Sequence, residues 1–285
     1  MIHNMNKQNA SRFPLNRRQQ TIVTIVFAIF FLVSVILTGL LLDEARIATH
    51  LDERNLPPTL AHFFGTDWLG RDMFTRTMMG LTLSIGVGLI GAFGSATIAL
   101  ILGLIAATMG KTADRIVSWL IDLFLSVPHL VTLILISFTL GGGFKGIVIG
   151  IAFTHWPSLA RVIRAEVLQI RSAEYVHISR RMGKTRWWIA WNHILPHLTP
   201  QILVGFMLLF PHAILHEAAV TFLGLGLSPH EPAIGIILSE SMKYLSSGMW
   251  WLAFFPGLCL LIVVRLFDSI GENLRMLVDP VRAHD

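Results

Sequence analysis

Apolar residues in this chain fall into long runs separated by short polar stretches. A run of about 20 apolar residues in a helix, rising 1.5 Å per residue, crosses a bilayer core. The pattern predicts six spans: Thr21–Leu42, Leu83–Met109, Ile116–Leu140, Ile147–Leu159, Ile202–Leu223 and Trp250–Phe267. The fourth is the shortest; it contains His155, and Pro157 interrupts it near one end. The expected fold class is therefore an all-α polytopic membrane protein with six transmembrane helices, preceded by a tail over residues 1–20. The first run exceeds the apolar core of a secretory signal, and no small-x-small cleavage site follows it.

Two polar stretches interrupt this pattern most. Residues 43–80 form one loop and residues 160–199 another. In the second, Pro157 and Pro200 bracket the polar region and Gly183 divides it. "SLARVIRAEVLQIRSAEYVHISRRM" reads as a helix with Ile163, Val167, Ile170 and Ile178 among its apolar positions. "KTRWWIAWNHIL" reads as a second, short helix that Pro196 ends. Trp187 and Trp191 stand one turn apart and share a face. Chemistry alone leaves two readings: a helix lying in the headgroup layer, or a helical hairpin that inserts into a partner's groove.

Composition supports the membrane class. The chain is 54% hydrophobic and 14% charged, and a soluble domain carries about 25% charged residues. The single cysteine, Cys259, lies in a predicted span, which excludes an intrachain disulfide and argues against a cysteine-based metal site. A pI near 9.9 would suit a nucleic-acid binder. However, the cations cluster beside the apolar runs, as the positive-inside rule expects, so the partner is the lipid bilayer and no nucleic acid is expected. With the N-terminus inside, sixteen Lys and Arg fall on the cytoplasmic side and six on the other. Both termini and the 160–199 loop are therefore expected in the cytoplasm.

Ionisable groups inside spans are costly to bury and carry a functional reading by default. Asp122, His129 and His155 are such groups, as are His212, His216 and Glu217 in "PHAILHEAAV". Pro211 frees a carbonyl one turn back. Two imidazoles one turn apart can share a transition metal, or they can form a polar knot between helices. Ser84, Gly88, Ala92 and Ala96, with Gly91 and Ser95 beside them, form a small-residue stripe suited to close helix packing, within the chain or against another subunit. In the first loop, Gly65 and Gly70 suit turns, Asp67 is placed to cap the next helix, and Asp72 and Arg76 are spaced for an ion pair. "MGKT" occurs at 109–112 and at 182–185, but a phosphate-binding loop needs a glycine where Ile105 and Ile178 stand. No enzymatic activity is expected of this chain.

Four segments carry a resemblance. The loop of ABC importer permeases has the pattern E-A-A, three residues, Gly, nine residues, Ile, one residue, Leu-Pro. Here it falls on His177, Ile178, Ser179, then Gly183, His193, Leu195 and Pro196, keeping the spacing and losing the E-A-A letters and the isoleucine. "FGTDWLGRDMFTR", "EAAVTFLGLGLSP" and "ENLRMLVDP" resemble stretches of one subgroup. From the first span to the C-terminus the chain resembles the second permease subunit of the dipeptide/oligopeptide/nickel ABC importers.

That resemblance implies the ABC type I importer permease fold in a cell inner membrane. It implies a second homologous permease subunit, two cytoplasmic ATPase subunits that carry ATP and Mg, and an extracytoplasmic substrate-binding protein; no cofactor is bound by this chain. It makes the 160–199 loop a coupling element that docks on an ATPase, through Glu174, His177, Arg180, Arg181, Gly183, Arg186, Trp187, Trp191, Leu195 and Pro196. Asp67, Gly70, Arg71 and Asp72 become candidates to face the binding protein, and His212, His216, Glu217 and Asp122 candidates for the substrate path. Within the family resembled, a histidine at the position of His216 points towards nickel or another metal chelate, with short peptides as the alternative. A metal contact at His212 and His216 would be weak and transient, because a tight site traps its ion. A stand-alone ion-coupled carrier is the more distant alternative.

Overall fold

In a helix every backbone group is bonded within its own segment, so an apolar run without breakers folds as one in lipid. The computed structural model describes residues 17–278. Most of the predicted N-terminal tail, with Lys7 and Arg12, and the closing Asp279, Pro280 and Arg282 lie outside the described residues. Helix α1 (Arg17–Leu41) buries Ala28, Leu32 and Val35 and leaves Phe27, Phe30 and Leu37 exposed. A loop with two short 3-10 turns, Glu44–Ile47 and Leu51–Glu53, then leads to α2 (Met73–Thr108).

Helix α2 starts at Met73, not at the predicted Leu83. The reason is a cap. Asp72 accepts hydrogen bonds from the Thr75 amide at 2.9 Å and the Thr75 hydroxyl at 2.7 Å. That satisfies orphan donors at the helix start. Its 36 residues make α2 roughly 54 Å long, so its two ends mark the two faces of the bundle. We call them the loop end (Met73) and the arm end (Thr108).

The predicted third span is two helices, α3 (Lys111–Ser126) and α4 (His129–Thr139), bent by 96°. Pro128 sits at the bend, and Val127 before it is extended, as a residue preceding proline prefers. The fourth span is longer than predicted. α5 (Gly143–Thr154) and α6 (Trp156–Arg171) meet at His155 and form one apolar stretch, Gly143–Arg171. Pro157 falls in the first turn of α6, where no amide donor is required. The first part of the predicted 160–199 loop, to Arg171, thus continues this apolar stretch as helix, its Ile163, Val167 and Ile170 buried.

After α6 come α7 (Glu174–Arg181), α8 (Arg186–Ile189), a π turn (Ala190–Ile194) and α9 (Leu195–Phe222). The predicted single helix to Met182 breaks at Ser172 and Ala173. Pro196 does not end a helix; it stands in the first turn of α9, which runs on through Pro200 and Pro211. A short buried helix, α10 (Ile234–Met242), precedes α11 (Trp251–Val278).

Helix α2 is the hub, packing on α1, α5, α6 and α9. Its small residues face this chain's own helices: Gly88 lies against Phe210 and Ile214 of α9, and Gly91 against Ile151 of α5. Ser95 donates to the Ala152 carbonyl at 3.2 Å. Among the described residues five helices are long and apolar enough to cross a membrane, or six with the bent α3–α4 pair as one span. The protein is an all-α polytopic membrane protein.

Candidate functional site

At the loop end, charge is turned inward. Asp67, 0% exposed, accepts from Arg71 Nε at 2.6 Å and from an Arg76 guanidinium nitrogen at 2.9 Å. Its other oxygen accepts from the amides of Leu69 and Arg71. Arg76, 4% exposed, reaches across to Glu240 of α10 at 2.7 Å. Arg71 lies over Trp68, which stacks on Tyr244.

This corrects three sequence expectations. The Asp72–Arg76 pair does not form, because Asp72 is engaged by Thr75 and by His62 Nδ1 at 2.9 Å. Asp67 does not cap α2. Nor do Asp67, Gly70 and Asp72 present themselves to solvent; all three are buried, and only Arg71 is partly reachable. Gly70 has φ +75°, and a Cβ there would strike the His50 backbone. Glu240 was missed, since nothing in "ILSESMKYL" marks it.

Midway along the bundle the histidines gather, in a different set from the expected one. His155 Nε2 lies 2.8 Å from His216 Nδ1. His129, at the start of α4, stacks on His216 with ring centroids 6.3 Å apart and lies 5.6 Å from His155. His155 Nδ1 is 2.8 Å from the Thr154 hydroxyl and 3.2 Å from the Ile151 carbonyl. Two chain breaks, the α3–α4 bend and the α5–α6 junction, meet here against the continuous helix α9.

The other candidates stand apart. His212 is exposed. Glu217 is buried and accepts from the Thr221 hydroxyl at 2.9 Å. Asp122 is exposed on α3 and pairs with Arg161 at 3.0 Å, so it does not join the histidines. Among the described residues no group of three or more His, Cys, Asp or Glu side chains is placed to hold a metal ion. His155 and His216 make a polar knot between the α5–α6 junction and α9.

At the arm end, α7 is held by few contacts. Val176 is its one buried residue. Gly183, at φ +80°, closes α7: its amide bonds the Arg180 carbonyl and the Lys184 amide bonds the Ser179 carbonyl. That is the paired geometry for which glycine is preferred after a helix. Ser179 Oγ lies 2.9 Å from His193 Nε2, and the His193 ring packs against Tyr175 and Trp188. Two departures from the loop pattern, serine for the second alanine and histidine for isoleucine, are thus partners of each other.

The cationic end of α7 is open. Glu174, His177, Arg180 and Arg181 are exposed, and Ile178, one of the apolar positions of the predicted helix, is 57% exposed. Trp187 and Trp191 are exposed as well. They border an apolar cleft of the chain's own, against the arm end of α2. Leu195 lines the same cleft, and Pro196 opens α9. The Arg186 side chain lies outside the described residues. At the base of the arm, Asp114 and Arg164 tie α3 to α6, and Arg171 donates to the Ala107 carbonyl of α2.

Residues 99–276 match the family described as binding-protein-dependent transport system inner membrane component. The chain belongs to this family. It is similar to the dipeptide transport system permease protein DppC of Bacillus subtilis (strain 168), 32% identical over 266 residues, covering 93% of this chain and 83% of that one. It is 35% identical over 232 residues to the oligopeptide transport system permease protein OppC of the same organism, covering 81% and 76%. The probable D,D-dipeptide transport system permease protein DdpC of Escherichia coli (strain K12) is 32% identical over 260 residues, covering 91% and 87%. Among solved structures, an inward-facing form of the MetNI methionine ABC transporter superposes with TM-score 0.60 at 19% identity, over 73% of this chain and 98% of that one. The chain is thus a membrane-embedded permease component with the ABC importer permease fold. The matched region contains both the histidine knot and the arm.

Proposed function

We propose that this chain is the membrane-spanning subunit of an ATP-driven importer of short peptides. The observation that carries the substrate class is the extent of the likeness: a dipeptide permease aligns over 93% of this chain, loop, knot and arm included. Nickel or another metal chelate is the reading that His216 invites. Its Nδ1 is engaged by His155, which leaves less of the imidazole for a passing ion.

Coupling falls to α7. Its exposed Ile178 and Met182 offer apolar anchors, and Arg180 and Arg181 offer charges for an acidic rim, the pairing that gives interfaces affinity and steering. The cation bias supports an arm end and termini in the cytoplasm, where two ATPase subunits supply the ATP and Mg chemistry. This chain supplies none, and binds no cofactor. A second, homologous permease subunit completes the pathway. At the loop end the binding protein meets a surface whose shape Asp67, Gly70 and Asp72 set from inside.

The test is uptake by a deletion strain complemented with this chain and its operon neighbours. Labelled dipeptide should accumulate and radioactive nickel should not. Nickel uptake without dipeptide uptake would reverse the assignment.

A further inference from the structure

Helix α2 leaves an apolar stripe exposed along Ile90, Phe93 and Ile101. At the arm end this stripe runs into a cleft of about 220 Å³. Its walls include Ile101 and Leu104 of α2, Met109 just after it, Trp187 of α8, Trp191 of the π turn and Leu195 at the start of α9. A liquid water occupies about 30 Å³, so the space is too large for a packing fault. It is also a poor place for water. Besides the two indole N–H groups, the polar side chain in the lining is Thr108, whose hydroxyl already donates to the Leu104 carbonyl at 2.6 Å.

The tryptophans are 62% and 65% exposed, so the cleft opens outward. The π turn Ala190–Ile194 carries Ala190 and Trp191 into the wall. Such turns give up regular helix bonding and are frequent at functional sites. Two exposed cations lie within three residues of lining residues along the chain. Lys111 follows the lining residue Met109 across Gly110 and is exposed, and exposed Lys184 lies over the Trp188 ring at 4.7 Å, beside Trp187. Asp114, the carboxylate nearest Lys111 in sequence, is already paired with Arg164.

We propose that this cleft binds an anionic phospholipid, with an acyl chain along the α2 wall and the headgroup phosphate between Lys111 and Lys184. Indole rings at the headgroup level and lysines beyond them are the pairing that such a lipid meets at a membrane border. The continuity with the exposed α2 stripe favours a lipid over a protein helix. Each lysine favours the anionic headgroup by about fivefold, and two by roughly thirtyfold. The proposal is independent of the transported substrate.

The experiment reads tryptophan quenching in the full chain, reconstituted into phosphatidylcholine vesicles doped with brominated phosphatidylglycerol or brominated phosphatidylcholine. The signal of Trp187 and Trp191 is the difference from a W187F/W191F variant, which removes the background of the other six of the eight tryptophans. Half-quenching of the pair should need roughly thirtyfold less of the brominated anionic lipid than of the neutral one, falling to about fivefold in K111Q or K184Q. Equal quenching by both lipids would overturn the proposal, leaving an ordinary lipid-facing surface. Absence of quenching would overturn it too, in favour of a protein segment in the cleft.

Discussion

The loop before α2 and the arm before α9 draw on the same residue types, Arg, Asp or Glu, His and Trp, and dispose of them in opposite ways. In the loop, Asp67, Asp72 and Arg76 are buried, and backbone bonds such as Asn55 to Asp67 and Asp72 to Arg46 fasten the chain to itself. In the arm, α7 buries Val176 alone and its arginines face solvent. A buried ion pair that loses one member leaves an uncompensated charge, whereas an exposed charge is nearly free in stability terms. Loop charges therefore hold shape, and arm charges are available to a partner.

The sharpest way to break this contrast is Arg76→Met. It leaves Asp67 with Arg71 alone and Glu240 with its weaker contact, at 3.4 Å. We expect a loss of about 3 kcal/mol, seen as a lower unfolding midpoint in detergent. An unchanged midpoint would show that the loop charges are not structural.

The mirror experiment reverses the arm. Arg180→Glu with Arg181→Glu should lower substrate uptake roughly tenfold, about 1.4 kcal/mol of lost partner contact. The unfolding midpoint of the isolated chain should stay within about 0.5 kcal/mol of the parent. Full uptake in this variant would remove α7 from the coupling path.

Gly183 sharpens the comparison through the backbone. No atom lies within 4 Å of a Cβ built there, so size is tolerated and handedness is not. Gly183→Ala should cost about 1 kcal/mol, because its φ is left-handed, and should appear as faster proteolysis of the arm. Gly183→Asn, which accepts that conformation more readily, should cost less.

The paired departures from the loop pattern predict a cycle. Ser179→Ala should cost about 1 kcal/mol by leaving His193 Nε2 without its partner, and His193→Ile less, because the Ser179 hydroxyl still donates to the Tyr175 carbonyl at 2.9 Å. The double variant, which restores alanine and isoleucine, should recover most of that loss, measured as a coupling energy. Simple additivity would mean that the 2.9 Å contact is incidental.

The smallest effect is expected at the knot. Glutamine at position 216 still offers a donor and an acceptor to His155, so His216→Gln should keep dipeptide uptake within roughly twofold. A many-fold loss confined to metal uptake would return the imidazole to the substrate path.

Periodicity and apolar run length made the membrane class and a count of five to six spans legible, since those depend on local composition. Motif spacing located Gly183 as the end of α7, because a positive φ there selects glycine whatever packs nearby. Where Pro157 and Pro196 stood was read wrongly. Proline breaks a helix interior but suits a first turn, and only neighbouring helices decide which of the two a position is. Individual histidines were visible, yet the set His129, His155 and His216 joins residues on three separate helices, a distance in space that no spacing along the chain encodes. Glu240 is the extreme case. It acquires its role solely because α10 is packed against the start of α2, where burial of Arg76 demands a second carboxylate.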